Sequence, residues 1–212
     1  FPFDQADGSL ALGREGAHTF PRVLHAGGDA TGKIFSSYFA KHLKQQEKIM
    51  VFKNSMTIDL LLDKRGRCVG IIAMDIKSKR LFIIYAKVTI LAAGGIGQVY
   101  KYTTNPSEAT GDGVAMAARA GARIINMEFI QFHPTALNHP DAKGFLVSEA
   151  VRGEGGILKN SLGEAFMSSY HPQADLAPRD IVARAIEEQP QETGEVFLDV
   201  TSYLNYYKKT DY

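Results

Sequence analysis

The sequence predicts an α/β chain that passes into an α+β region, and three features carry that prediction. A short apolar segment turns through glycines into an amphipathic helix within residues 22–46, and strand-like runs succeed one another over residues 49–93. From about Phe129 the apolar blocks give way to shorter polar motifs set on helices. That change of texture divides the chain into residues 1–128 and residues 129–212.

The first element pair is "RVLHAGGDATGKIFSSYFAKHLKQQ", a short strand, a glycine turn and a helix with Ile34, Phe35, Tyr38, Phe39 and Leu43 on one side. "IMVFK", "TIDLLLD", "CVGIIAMDI" and "RLFIIYAKVTILAA" follow as strands, and the "DKRG" and "KSK" breaks make the middle of this an antiparallel meander. Its last part, "VTILAAGG", is apolar on both faces and ends in glycines. A buried parallel strand that delivers its C-terminal end to a ligand has that pattern. "GDGVAMAARAGA" is a helix whose small side chains allow close approach to a sheet or a ligand. Beyond residue 129 the expected elements are a helix around Glu149, a helix opened by Ala177, Pro178, Arg179 and Asp180 with the proline in its first turn, and the strand "VFLDV".

Composition narrows the function classes. The 212 residues carry a formal charge of +1, which provides no footprint for nucleic acid or an anionic membrane surface. No apolar run approaches the roughly 20 residues of a membrane span. Cys68 is the only cysteine, so cysteine frameworks are excluded, and a cytoplasmic setting is expected.

"GGDATGK" nearly matches a phosphate-cradling loop, with Gly27, Gly32 and Lys33 at the right spacing, but Ile34 stands where a magnesium-binding Ser or Thr belongs. A plain turn into the helix is preferred, with a nucleotide-binding module as the alternative. In "QFHPTALNHP" the spacing of His133 and His139 fits no metal-binding pattern. Gln131, His133 and Thr135 alternate onto one face. "SEAVRGEGG" sets Ser148, Glu149 and Arg152 within one helical turn. A surface ion pair is one reading, and the apolar and glycine-rich flanks favour the edge of a buried cleft. Arg179 at a helix N-terminus is unfavourable by roughly 0.3–1 kcal/mol, so its presence needs a cause beyond the helix itself.

Taken together, "ILAAGGIGQVYKYTTNPSEATGDG", "MEFIQFHPTAL", "SEAVRGEGG" and "LAPRDIVARAI" resemble, in order and spacing, the flavoproteins of the fumarate reductase, succinate dehydrogenase and L-aspartate oxidase family. "RVLHAGGDATG", "YTTNP" and "HPTALNHP" are similar to its aspartate-oxidising branch. The resemblance implies part of an FAD-binding Rossmann-like domain containing the antiparallel meander, followed by part of an α+β capping domain. Members of the family are longer, and their N-terminal dinucleotide fingerprint has no counterpart here. These residues alone are therefore expected to be inactive and to lack bound FAD.

The resemblance also implies roles. Met56, Thr57, Ala93, Gly94 and Asp112 correspond to contacts of a non-covalent FAD. His133, Ser148 and Gln131 correspond to substrate-binding positions, and Arg179 to the catalytic arginine, with Glu149 and Arg152 as its proton relay. No metal is implied. The implied reaction is oxidation of L-aspartate, or a related C4 dicarboxylate, to iminoaspartate by hydride transfer to FAD, with oxygen or fumarate as electron acceptor. The product would feed NAD biosynthesis, with a functional link to quinolinate synthase. A fumarate reductase or succinate dehydrogenase flavoprotein is the alternative within the family.

Overall fold

The computed structural model describes residues 1–14, 18–142, 144–189 and 194–202. In chain order the strands are β1 (Gln5–Ala6), β2 (Ser9–Leu10), β3 (Leu12–Gly13), β4 (Val23–Leu24), β5 (Ser55–Leu62), β6 (Cys68–Asp75), β7 (Leu81–Tyr85), β8 (Ile157–Asn160) and β9 (Val196–Asp199). The α-helices are α1 (Thr31–Leu43), α2 (Asp112–Arg119), α3 (Ala150–Gly153) and α4 (Arg179–Glu187). They fall into two compact units, one of residues 48–130 and one of residues 1–47 with 131–212.

The unit of residues 48–130 is built on the meander that the alternating strands and polar breaks predict, with β5, β6 and β7 antiparallel in that order. Asp63 and Asp75 close its two turns by accepting backbone N–H groups, from Arg65 and Arg67 in the first and from Ser78 in the second. Gly70 is required where β6 meets β7, because its φ is 153° and a Cβ there would stand 2.1 Å from the carbonyl oxygen of Ile84. Helix α2 is fastened to β5 through Arg119, whose Nε donates to Asp59 Oδ2 at 2.9 Å and whose Nη2 donates to the Ile58 carbonyl at 3.0 Å.

Two expected strands of this unit do not form. "IMVFK" and "VTILAAGG" lack a ladder among the described residues, and Val88 and Ile90 are 76% and 86% exposed. Apolarity on both faces is a signal of burial between neighbours, but a strand also needs paired backbone groups. With no adjacent strand in the unit, the segment is left as irregular chain.

In the other unit β1 pairs with β2, β3 with β4 and β8 with β9, all antiparallel. The strand β8 was not expected, since four residues between a Gly pair and the 160–163 turn give too short a pattern to read. The core lies here, formed by Leu158, Phe166, Met167, Ala177, Val182 and Ala185, with Ile181, Ile186, Val196 and Leu198 packed against it. Helix α1 forms as its periodicity predicts. Its apolar side is partly covered by an aromatic cluster in which Phe1 meets Phe35, Tyr38 and Phe39.

The start of α4 differs by one position from expectation. Pro178, with ψ of 145°, is the N-cap, and Arg179 is the first helical residue. The Pro178 carbonyl accepts from the N–H groups of Ile181 and Val182, so proline initiates the helix without spending an amide of its own. No helix among the described residues is long and apolar enough to cross a membrane.

Candidate active site

The expected ionic residues meet in the unit of residues 1–47 and 131–212. Helix α3 carries Arg152 one turn after Glu149, and Arg152 Nη2 donates to Glu149 Oε1 at 3.0 Å. The second oxygen of the same carboxylate, Oε2, accepts from Arg179 Nε at 2.7 Å. The side chains of Arg152, Glu149 and Arg179 are 0%, 4% and 31% exposed, so the row runs from the interior to a partly open end. The i,i+3 pair is thus buried, the second of the two sequence readings.

The cause of an arginine at a helix start is now visible. A charge-assisted hydrogen bond is worth roughly 1.5–3 kcal/mol, more than the roughly 0.3–1 kcal/mol by which the helix dipole opposes the cation. Burial pushes the Arg152 guanidinium below its ordinary proton affinity, the charge and hydrogen bond of Glu149 oppose that shift, and the charge of Asp175 also opposes it. Arg152 Nη1 donates to the backbone carbonyl of Asp175, and the Asp175 carboxylate accepts the N–H of Leu158 at 2.8 Å. Sequence reasoning missed Asp175, because its link to Arg152 runs through a backbone carbonyl that no residue type announces.

Gln131 stands at the exposed end of the row, its Oε1 accepting from Arg179 Nη1 at 3.5 Å. His133 and Ser148 lie on two strands of chain tied by the Thr135–Val147 pair. The Val147 N–H donates to the Thr135 carbonyl, and Thr135 Oγ1 donates to the Val147 carbonyl, both at 2.9 Å. His133 Nδ1 accepts the Thr135 N–H at 3.2 Å, which in a neutral ring leaves the proton on Nε2. Ser148 is exposed, and its Oγ accepts the Ala150 N–H at 3.3 Å.

In the unit of residues 48–130, Ala93 and Gly94 line one concavity of about 250 Å³ together with Leu91, Gly113 and Val114. A Cβ at Gly113 would stand 2.8 Å from that of Ala93, whereas Gly94 faces open space. The surface is largely apolar, with two glycines in its lining, and smaller than the roughly 300–1,000 Å³ of a complete ligand pocket. Asp112 opens α2 beside it, exposed, and accepts from Thr110 Oγ1 at 2.9 Å. Met56 and Thr57 are on β5, outside the residues that line this concavity. A larger open concavity of about 500 Å³ on the meander, lined by Phe52, Lys53, Asp75, Arg80 and Phe82 among others, contains none of the expected site residues.

The phosphate-loop alternative fails on geometry. The amides of Gly27 and Gly28, which would have to face a phosphate, donate to the two carboxylate oxygens of Asp4 at 2.8 and 2.9 Å. These hydrogen bonds hold the Asp4 carboxyl below its usual range, so the turn already contains its own anion.

Comparison with known proteins gives the same family as the motifs. The model of the FAD binding domain family matches residues 1–206. The chain belongs to that family. Among curated relatives of this FAD binding domain, L-aspartate oxidase 1 of Ralstonia nicotianae is 48% identical over 204 residues, 93% of this chain and 38% of the relative. L-aspartate oxidase of Bacillus subtilis is 44% identical over 207 residues, 97% of this chain and 38% of the relative. Among solved structures, quinol fumarate reductase of Escherichia coli superposes with a TM-score of 0.83 at 32% identity, over 93% of this chain and 37% of that one. The chain thus spans about 38% of the length of these curated relatives.

Proposed function

We propose that this chain is part of a flavoenzyme that oxidises L-aspartate to iminoaspartate. The observation that carries the proposal is the Arg152–Glu149–Arg179 row, which fixes a guanidinium at the partly open end of a buried ionic chain. Identities of 44% and 48% to L-aspartate oxidases support the substrate.

Arg179 presents a planar, permanently charged donor, and a substrate carboxylate meeting it gains a charge-assisted hydrogen bond. Glu149 prevents that guanidinium from swinging, which holds the diacid in one orientation. His133, through Nε2, and the Ser148 hydroxyl are donors for a second carboxylate, and Gln131 limits the position of Arg179. FAD, when bound, supplies the two-electron acceptor. Ala93, Gly94 and Asp112 would hold it in the unit of residues 48–130, with Met56 and Thr57 toward its adenosine side. The family resemblance gives Arg179, Glu149 and Arg152 a proton-relay role; with both guanidiniums permanently protonated, what their hydrogen bonds supply is a fixed cation at the open end, backed by the Glu149 carboxylate. Oxygen or fumarate would reoxidise the flavin, and quinolinate synthase would be the functional neighbour. The reading includes a cytoplasmic setting, in which an exposed thiol such as that of Cys68 would stay reduced.

Fumarate reduction is the second reading, favoured by the TM-score of 0.83 to quinol fumarate reductase. The test is a full-length protein carrying these residues, assayed for flavin reduction by L-aspartate and by succinate, with iminoaspartate followed as oxaloacetate and ammonia after hydrolysis. Reduction by aspartate is expected. A flavin reduced by succinate alone would overturn the proposal in favour of the second reading.

A further inference from the structure

Arg152 is held by less than its burial demands. Its guanidinium has a side-chain exposure of 0%, and its Nε has no acceptor among the described residues. Two contacts fix the group: Nη2 to Glu149, and Nη1 to the backbone carbonyl of Asp175. That carbonyl is itself positioned. Asp175 lies in the single 3-10 turn of Ala174–Leu176, which begins at Ala174 with a φ of 45°, and its carboxylate grips the N–H of Leu158 at the head of β8. Leu158 is in the core, so the turn is tied to the packed centre of this unit.

We infer that Asp175 is a positioning residue for the reaction, acting through Arg152 and Glu149 on Arg179 and touching no substrate itself. The charged groups facing Arg152 are Glu149, Asp175 and Arg179. With Arg152 itself they make two carboxylates and two guanidiniums, Glu149 bonded to both guanidiniums and Arg152 bonded to the Asp175 backbone carbonyl. Asp175 contributes twice. Its carboxylate holds the Leu158 N–H and so fixes the turn that directs the carbonyl to Nη1, and its charge acts through space on the buried cation. Without the charge, Glu149 would face two guanidiniums alone and be drawn toward the buried one. The Arg179 Nε contact, and with it the orientation of the substrate-facing guanidinium, would loosen.

This inference rests on the proposed aspartate-oxidising role, and the experiment separates the two. In the full-length enzyme, wild type is first assayed with L-aspartate; absence of turnover there counts against the proposed function and not against Asp175, which is then measured by fumarate reduction. Asp175→Asn preserves an acceptor for the Leu158 N–H and removes the charge. It is expected to lower kcat per bound flavin about tenfold, with KM unchanged to within about twofold. Asp175→Glu, which restores the charge, should recover a large part of that loss. Combined with Glu149→Gln, the Asn substitution should add little further, because both act through one row. If Asp175→Asn does not fold, Asp175→Ser, which also removes the charge, is judged by the same kcat and KM split. Wild-type kcat in the variant that folds, or a loss confined to flavin content or thermal stability, would overturn the inference.

Discussion

Arg179 Nε and Glu149 Oε2, 30 residues apart in sequence, meet at 2.7 Å, and the other oxygen of that carboxylate holds Arg152. One buried anion therefore serves two cations, and four consequences of this and neighbouring contacts can be measured.

Glu149→Gln leaves Arg152 buried without its side-chain counter-ion. Breaking a buried pair on one side costs about 3–5 kcal/mol, and that is the expected loss in denaturant unfolding. Turnover of the full-length enzyme should fall with it, whereas an unfolding free energy unchanged to within about 1 kcal/mol would contradict the buried geometry.

Leu158→Ala removes a side chain that is part of the core and also belongs to the residue whose N–H Asp175 holds. A loss of about 2–5 kcal/mol is expected from the cavity left behind. Calorimetry with parallel kinetics would detect it.

Lys159 Nζ and Thr201 bind the Asp199 carboxylate, the lysine at 2.6 Å, and they drive its proton affinity far below the ordinary range. A depressed carboxyl favours the folded state above the unfolded value of about 3.9, and the benefit disappears as pH falls through the lower folded value. The β8–β9 pair should therefore lose protection from hydrogen exchange in strong acid, and Asp199→Asn should show the loss already at neutral pH.

Lys33→Ala should change neither flavin content nor stability, and magnesium ATP should not bind. Asp4 already fills the turn that a phosphate would need. Saturable ATP binding that depends on Lys33 would refute this assignment of the glycine turn.

Local pattern made the meander, α1, α2 and the Glu149–Arg152 pair legible, because strand alternation, polar breaks and helical spacing are written in consecutive residues. Arg179 was legible as an anomaly, a cation where a helix start disfavours one, and the partner that resolves it is Glu149. Asp175 and Asp4 were not legible, since each acts on or through backbone groups far along the chain. The segment "VTILAAGG" was misread for the opposite reason. Its residue types state what surroundings it suits, while strand formation depends on a neighbour that supplies the ladder.

That same segment governs how the polypeptide behaves in a tube. Val88 and Ile90 present bare aliphatic side chains two residues apart on a segment that has no ladder among the described residues, a combination that invites intermolecular β-pairing. Preparations of these 212 residues alone will cloud with concentration, and a charged substitution at Ile90 will keep them clear.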